Sequence, residues 1–572
     1  MNYSLEPRLR ITGPAYTLEM DDRRPALHVH TAGGEHLMDL FLVSSIHTLS
    51  GRDVTASCGA WEAEASEGAV RLSAEMDSLF WDRKKVVVEC REDRITYSVT
   101  VTGAGRITDA ELLSGYYTGV NQRYSTGRFY SCFDVDSVFN PEPDGRERYV
   151  NPPSERLLID MGGGPLPGRD HWFFTPPPFC YVLRKGSCCV TLGVTAEPGM
   201  HSFTEFEYTG GASGQGLLLR YEGEAAVSGE YTLPQVQMIF GADEYSLIGT
   251  FSRLERLPDA GRPAPADWWT KPIFCGWGAQ SAMSGREQQP APALSTQRFY
   301  EEFTASLDEK QIRPGTIVID DKWQAAYGLN TVDPVKWPDM KGFIARMHEK
   351  GRRVLLWLKA WDPEGVDPAL CIRDWRDRPV AIDPTHPDYR RLFEDRCRDL
   401  LSPGGLDADG FKIDFTARIP SCAGCRRHGE VWGLELMRSY LGMVYDAAKA
   451  VKPDALVMCH CPHPYLADKL DMIRLNDINT GKPVNPQMIH RARVARAAMP
   501  DRLIDTDNWP MPDKQSWLEY VRIQPDLGVP SLYYLWHMDN SPEAITDADL
   551  ETVRESWDRW ERMQRAARAP ES

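Results

Sequence analysis

The stretch Gly410-Phe411-Lys412-Ile413-Asp414-Phe415 puts a lysine and an aspartate into an otherwise apolar run. In a strand, Phe411 and Ile413 face one side and Lys412 and Asp414 the other. Burying those two charges is costly unless they are paired or used. On this hexapeptide alone a structural ion pair and a reactive carboxylate are equally good readings, because structural pairs also perturb ionisation. A second carboxylate, Asp477, stands between Asn476 and Ile478. Two aspartates that converge on one cavity are the minimum equipment for cleaving a glycosidic bond. One attacks the anomeric carbon; the other protonates the leaving oxygen and then activates water. In this reading Lys412 keeps Asp414 ionised, and the less charged neighbours of Asp477 give it the raised pKa of an acid. Carboxyl groups about 5–5.5 Å apart give retention of configuration.

The elements that must position these residues are legible as a rhythm. Eight short apolar runs, Ile273–Trp277, Thr316–Asp321, Arg353–Lys359, Gly410–Phe415, Ala455–Cys461, Met472–Asp477, Leu503–Asp507 and Ser531–Leu535, alternate with helical patterns such as Tyr300–Gln311, Tyr389–Leu401 and Val431–Val451. Eight β-then-α units predict a (β/α)8 TIM barrel, whose active site lies at the C-terminal strand ends. Polar residues and a tryptophan gather at those ends: Trp277, Asp320, Asp321, Lys359, Asp414, His460, Asp477, Asp505 and Asp507. Asp505 or Asp507 is an alternative acid, and Asp320 with Asp321 could instead cap a helix. Before the barrel, alternating runs such as Lys85–Cys90, Ile95–Val101 and Cys188–Val194 predict a β-sandwich. The Pro- and Gly-containing segment Leu257–Pro265 reads as a linker, dividing the chain into an N-terminal β-sandwich, 1–262, and a catalytic barrel, 263–572. The segment Asn140–Pro178 is rich in Pro and Gly and is expected to be a long excursion, with Trp172 able to reach over the barrel mouth.

The 572 residues carry 65 basic and 82 acidic side chains, a net charge of −17. That balance argues against nucleic acid and anionic membrane as partners. No apolar run has membrane-spanning length and no signal-peptide pattern opens the chain, so a cytoplasmic protein with its thirteen cysteines reduced is expected. Cys422-x-x-Cys425 with His428 follows the fourth strand, and Cys459-His460-Cys461-x-His463 ends the fifth. This spacing is compatible with a structural zinc ion, but the second half lacks a clean Cys-x-x-Cys, which favours reduced thiols that hold no metal. The proposed chemistry itself needs no cofactor.

Several motifs carry a resemblance. Ile319-Asp320-Asp321-Lys322-Trp323-Gln324 is similar to the Asp-Asp-x-Trp motif of the second strand in clan D glycoside hydrolases, especially family 36, the α-galactosidases and raffinose-synthase-like proteins. Trp337-Pro338, Leu356-Trp357 through Glu364, Asp383–Pro387, Lys412-x-Asp414, Cys459 and Asn476-Asp477-x-Asn479-Thr480 follow in the same order as that family's segments. The resemblance implies a retaining α-glycoside hydrolase with Asp414 as nucleophile and Asp477 as acid/base. It implies sugar contacts from Asp320, Asp321 and Lys412, and apolar walls from Trp323 and Trp277. Trp361, Cys459 and His460 join the candidate substrate contacts. An oligosaccharide or glycoside is the implied substrate, a homo-oligomer the implied assembly. Transglycosylation and a non-catalytic carbohydrate-binding barrel are the alternatives. Lys322 and Arg474 depart from the family pattern, and two extra cations raise the expectation of an anionic glycone.

Overall fold

Alternating apolar and polar residues in the N-terminal half become long antiparallel strands. Arg83–Arg91 pairs with Ala69–Ser78 on one edge and with Arg94–Leu112 on the other. Val86, Val88 and Cys90 turn into a core shared with Leu72, Tyr97 and Val99, while Lys85, Val87 and Glu89 are only half-buried. The computed structural model describes residues 1–4, 8–118, 127–139, 148–150, 179–211, 214–258, 264–416, 419–420 and 424–568. Among them, a six-stranded sheet starting at Asn2–Ser4 and a larger sheet containing the meander above bury a common apolar layer, including Leu18, Leu27 and Leu40. One charge pair sits inside this layer: Lys84 donates to Asp53 (2.7 Å) and to the Ser44 carbonyl (3.0 Å). Most of the segment 140–178, Trp172 included, lies outside the described residues.

Helix α1, Glu244–Glu255, follows the last sandwich strand; its first turn is capped by Asp243, which accepts from the Ser246 amide at 2.8 Å. The eight expected barrel strands all form: β1 Ile273–Cys275, β2 Thr316–Ile319, β3 Arg353–Lys359, β4 Gly410–Asp414, β5 Leu456–Cys459, β6 Met472–Arg474, β7 Leu503–Asp505 and β8 Ser531–Leu532. They pair in parallel in the order β7-β6-β5-β4-β3-β2-β1-β8, and a parallel bridge from Asp505 to Val529 joins β7 to the start of β8. Most strands stop one to three residues before the apolar runs do. Trp277 already opens a helix, and Asp320, Asp321, Asp477 and Asp507 stand just past the ladder. Charged carboxylates cannot enter an eight-stranded core without partners, so they collect where the chain turns out of it. Among the described residues no helix is long and apolar enough to cross a membrane.

The sandwich is locked to the barrel at the start of the helix that follows β4. The loop after β4 leads into helix α2, Gly433–Val451, whose first amides are satisfied by the sandwich. Leu434 donates to the Phe203 carbonyl and Glu435 to the His201 carbonyl, both at 3.1 Å. His201 lies 2.7 Å from Glu255 of α1 and stacks on Tyr465 with centroids 3.8 Å apart, and Tyr465 donates to Glu435 at 2.8 Å. Gly433 has φ +57°, and a Cβ there would stand 2.2 Å from the Phe203 carbonyl oxygen. Gly433→Ala is therefore expected to lower unfolding stability by about 2 kcal/mol or more. Thermal denaturation checks this; an unchanged midpoint would show that the junction has room to give.

Candidate active site

β4 delivers its two charges to one cavity of about 100 Å³ at the C-terminal end of the barrel. In register, Asp414 lies beside Lys359 of β3, and Lys412 beside Trp357. Six residues expected from sequence line the cavity: Asp320, Asp321, Lys412, Asp414, Asp477 and Trp277. Five more complete it, Trp357, Phe415, Arg474, Trp509 and Tyr533. Of these, Trp357 could have been found by the alternation that exposed Lys359 on the same strand. Arg474, singled out from sequence as an extra cation for an anionic glycone, does line the cavity, and the rule that exposed Lys412 marks it too, as a lone charge on an apolar strand. No local pattern marks Tyr533.

The cation beside Asp414 is Arg474, not Lys412. Lys412 is committed to Asp320, at 2.7 Å, and Asp320 also accepts from the Cys275 thiol at 2.9 Å. Arg474, buried on β6, donates from Nη2 to Asp414 Oδ1 (3.2 Å) and from Nη1 to Asp477 Oδ1 (3.0 Å). Its remaining contacts hold it in place: Nη1 to Asp507 Oδ2 at 2.6 Å and Nη2 to Asn476 Oδ1 at 2.7 Å. The neighbourhood of Asp477 is thus charged, contrary to the reading of its sequence neighbours. Burial opposes ionisation of Asp414, but Arg474 above all, with His460 and Lys412, holds its carboxyl well below the usual carboxylate range. Asp477 goes the other way. Burial, with Asp414 and Asp507 adding to it and Arg474 opposing, pushes it up to about 7. Asp321, which accepts from the Tyr327 hydroxyl at 2.7 Å, is pushed up to about 6, chiefly by burial. One carboxylate ionised beside one that keeps its proton is the division of labour acid–base chemistry needs.

Backbone strain concentrates around these groups. Lys322 (φ +73°), Trp361 (+69°), Phe415 (+60°), Asn476 (+70°) and Asp507 (+53°) are all left-handed residues other than glycine, each just past a barrel strand. Such conformations cost about 1–3 kcal/mol each and persist where surrounding contacts enforce them. For Asn476 the enforcing group is Arg491 of helix α3, Val484–Ala498. Its Nη1 lies 2.8 Å from each of the carbonyls of Leu475, Asn476 and Asp477, gathering the turn that presents the acid. Trp357 Nε1 donates to Asp414 Oδ2 at 3.3 Å and steadies the other carboxylate.

Four expected substrate contacts do not line the cavity. Trp323 is fully buried and donates to the Trp357 carbonyl at 2.8 Å, and Trp361 packs on Tyr440. Cys459 is buried with its sulfur 3.1 Å from that of Cys461. His460 lies behind Asp414, with Nε2 3.3 Å from Oδ1, and burial pushes its pKa down. Lys322 turns away from the cavity to pair with Glu364 over the Tyr327 ring. Asp507 is buried on Arg474 and the amides of Asn508 and Trp509; Asp505 is buried against Ser531 and the Asp507 amide. Of the zinc candidates, Cys422 lies outside the described residues, and His463 is buried, accepting from the Tyr465 amide. Among the described residues the potential metal ligands that converge are instead His47, Asp109 and Glu111 in the sandwich, where Arg128 already donates to Glu111 at 2.9 Å. A larger cavity, about 770 Å³, opens at the sandwich–barrel junction; of its three carboxylates, Glu89 is tied to Arg91 and Glu255 to His201, and Glu197 is the third.

Residues 283–453 match the model of the glycosyl hydrolases family 31 TIM-barrel domain. Myogenesis-regulating glycosidase of Mus musculus is 24% identical over 176 residues, 27% of this chain and 22% of its own length. The α-xylosidase XylQ of Lactiplantibacillus pentosus is 27% identical over 138 residues, 21% of this chain and 18% of its own. The matched stretch thus spans about a fifth of these curated relatives. Three solved structures share the fold over nearly the whole chain. The α-N-acetylgalactosaminidase NagBb of Bifidobacterium bifidum has a TM-score of 0.61 at 12% identity, covering 96% of this chain and 92% of that one. A family 31 sulfoquinovosidase of E. rectale gives 0.57 at 12%, covering 97% and 82%. The α-galactosidase of Thermus thermophilus gives 0.52 at 15%, covering 90% and 98%. The barrel segment is thus similar to family 31, where the sequence motifs resembled family 36, and the solved structures share the fold. The motifs that misled are strand-end carboxylates and their neighbours. A shared reaction imposes such residues on any barrel that performs it, so they speak to reaction class rather than family.

The geometry makes Arg491 a support on which the acid depends. Arg491→Met, which keeps an unbranched stem but removes the donors to all three carbonyls, is expected to lower kcat by roughly 100-fold. Steady-state kinetics beside a thermal melt check this; full kcat in a stably folded variant would mean the turn needs no such anchor.

Proposed function

We propose that this protein is a retaining α-glycosidase that removes a single terminal, uncharged sugar. The observation that carries this reading is the pair Asp414 and Asp477 on the two arms of one guanidinium, the first held ionised and the second holding its proton. Asp414 attacks the anomeric carbon as Asp477 protonates the departing oxygen; Asp477 then takes a proton from the water that cleaves the ester. The family 31 match and glycosidase relatives support the reaction class. A cavity of about 100 Å³ has room for one ring rather than an extended chain, since pockets for larger ligands run to about 300–1,000 Å³.

The glycone follows from charge. An anionic sugar needs a cation with capacity to spare, and each cation considered for that role is engaged. Lys412 holds Asp320, Arg474 holds three carboxylates, and Lys322 holds Glu364 outside the cavity. Asp321 and Asp320 would also repel an anion, whereas neutral hydroxyls can donate to them. Tryptophans at 277, 357 and 509 supply the apolar walls that sugar rings favour. Galactosides remain the first substrates to try, alongside α-glucosides, α-xylosides and N-acetylgalactosaminides.

A panel of aryl α-glycosides tests this. Cleavage of at least one neutral glycoside is expected, with no turnover of the uronide or sulfoquinovoside; preferential cleavage of an anionic glycoside would overturn the charge argument. Asp414→Ala is expected to lose activity by about 10⁴-fold or more, and added azide should then yield the β-glycosyl azide. An Asp414→Ala variant that retains wild-type turnover would remove it as nucleophile. The acid must be protonated in the first step, so kcat/KM should fall as pH rises through about 7, the value to which Asp477 is raised. Asp414 stays ionised throughout the working range, so its titration should add no limb on the acid side. A flat profile from pH 5 to 9 would exclude Asp477 as the acid.

A further inference from the structure

The proposed mechanism asks Asp477 to be an acid in the first step and a base in the second. We propose that Arg474 is the positioning residue that makes this reversal possible, by bearing equally on both reacting carboxylates while non-reacting groups hold it still. The proposal rests on reading Asp414 as nucleophile and Asp477 as acid/base.

The argument is one of charge conservation. In the free enzyme Asp414 is negative and Asp477 neutral. In the first step an Asp414 oxygen bonds to the anomeric carbon, the bond to the leaving oxygen breaks, and the Asp477 proton passes to that oxygen. Asp414 is now a neutral ester and Asp477 an anion. In the second step Asp477 takes a proton from water, the water oxygen bonds to the anomeric carbon, and the ester's electron pair returns to Asp414. The pair carries one negative charge at rest and in the intermediate; only its place changes. Arg474 stands 3.2 Å from Asp414 and 3.0 Å from Asp477, so moving the charge leaves its interaction nearly constant. A cation on Asp414 alone, the role sequence suggested for Lys412, would lose its partner as the ester formed and so oppose the first step.

The guanidinium has no reason to follow the charge. Asp507 (2.6 Å) and Asn476 (2.7 Å) grip the same two nitrogens. Asp507 is itself gripped by the Asn508 and Trp509 amides at 2.7 and 3.1 Å. Such preorganised charge costs no reorganisation when the reaction occurs. Nη1 meets Asp477 at Oδ1, leaving Oδ2 to carry the transferable proton. The other groups facing the pair cannot substitute. Lys412 of β4 is held by Asp320, burial disfavours the charged form of His460 beyond β5, Asp505 and Asp507 of β7 are acidic, and Tyr533 beyond β8 is pushed far above its usual pKa by burial. Among the described residues Arg474 is the cation in contact with both Asp414 and Asp477. Esterification removes the Asp414 charge that helps raise Asp477 and leaves the Arg474 charge that lowers it, so the acid turns into a base at the moment one is needed.

The test separates the two steps. An aryl α-glycoside with a dinitrophenolate leaving group needs no proton for the first step, so only the base role of Asp477 is measured. Arg474→Gln is expected to keep a burst of about one aryl group per enzyme and to lose steady-state turnover by about tenfold or more. Azide, which needs no base, should restore turnover, and the acid limb of kcat should move up by about one pH unit, a tenfold change in the proton equilibrium. Arg474→Lys should recover part of the loss. Should Arg474→Gln fold poorly with Asp507 left unpaired, Arg474→Gln with Asp507→Asn keeps the charge balance and is expected to show the same burst and azide response. Equal loss of both steps without azide rescue, or unchanged kinetics, overturns the proposal. Wild-type enzyme inert to every activated glycoside, or an Asp414→Ala variant that still turns over, overturns the underlying assignment and the proposal with it.

Discussion

One guanidinium buried among carboxylates is the constraint on which this active site rests. Arg474 touches Asp414, Asp477 and Asp507, and no one of these charges could stay buried without the others. Removing one member of such a cluster leaves an uncompensated charge in a poorly solvated interior, at a cost of about 3–5 kcal/mol. The cluster therefore dictates where three strands end. β4 must stop at Asp414, β6 at Arg474 and β7 at Asp505, so that each side chain clears the packed interior and reaches the same space. The left-handed residues Phe415, Asn476 and Asp507 are the backbone's answer, turning the chain out of the ladder within two residues of each strand end. Arg491 from behind and Trp357 from the side hold those turns.

A second charged pair works beneath the first. Lys412 and Asp320 join β4 to the end of β2, with the Cys275 thiol of β1 closing the contact. This pair lines the cavity, and so does Asp321, one residue further on, which accepts from the Tyr327 hydroxyl. Adjacent carboxylates thus take different tasks because successive residues leave the strand in different directions.

The described residues of the sandwich support the barrel structurally. The sandwich loop at His201–Phe203 supplies carbonyls to the first turn of α2, the helix entered from the loop after β4. Helix amides at that end lack partners of their own, and here the neighbouring domain provides them. The glycine at 433 permits backbone to meet backbone, and the His201, Glu255, Glu435 and Tyr465 network seals the contact with buried hydrogen bonds. The start of α2, the helix that follows β4 in the chain, is therefore fixed against the sandwich.

How much of this could be read from the chain depends on the range of the interaction. The barrel strands, the alternation in the sandwich and the two aspartates on Arg474 are local patterns. Side-chain period and the cost of a charge on an apolar strand are written in consecutive residues, so Asp414, Asp477, Asp320, Asp321, Lys412 and Trp277 could each be found one strand at a time. The same local view misplaced Trp323, Trp361, Cys459 and His460, because being near a strand end does not say whether a side chain points into the cavity or behind it. It also paired Lys412 with the wrong aspartate and judged the surroundings of Asp477 by its sequence neighbours. Which cation serves which carboxylate depends on distances between β2, β4, β6 and β7, and those are fixed only when the barrel closes and its strands stagger. The sequence by itself determined the reaction's equipment; the closed barrel decided how charge is shared among it, because a buried electrostatic field is set by three-dimensional neighbours and not by chain order.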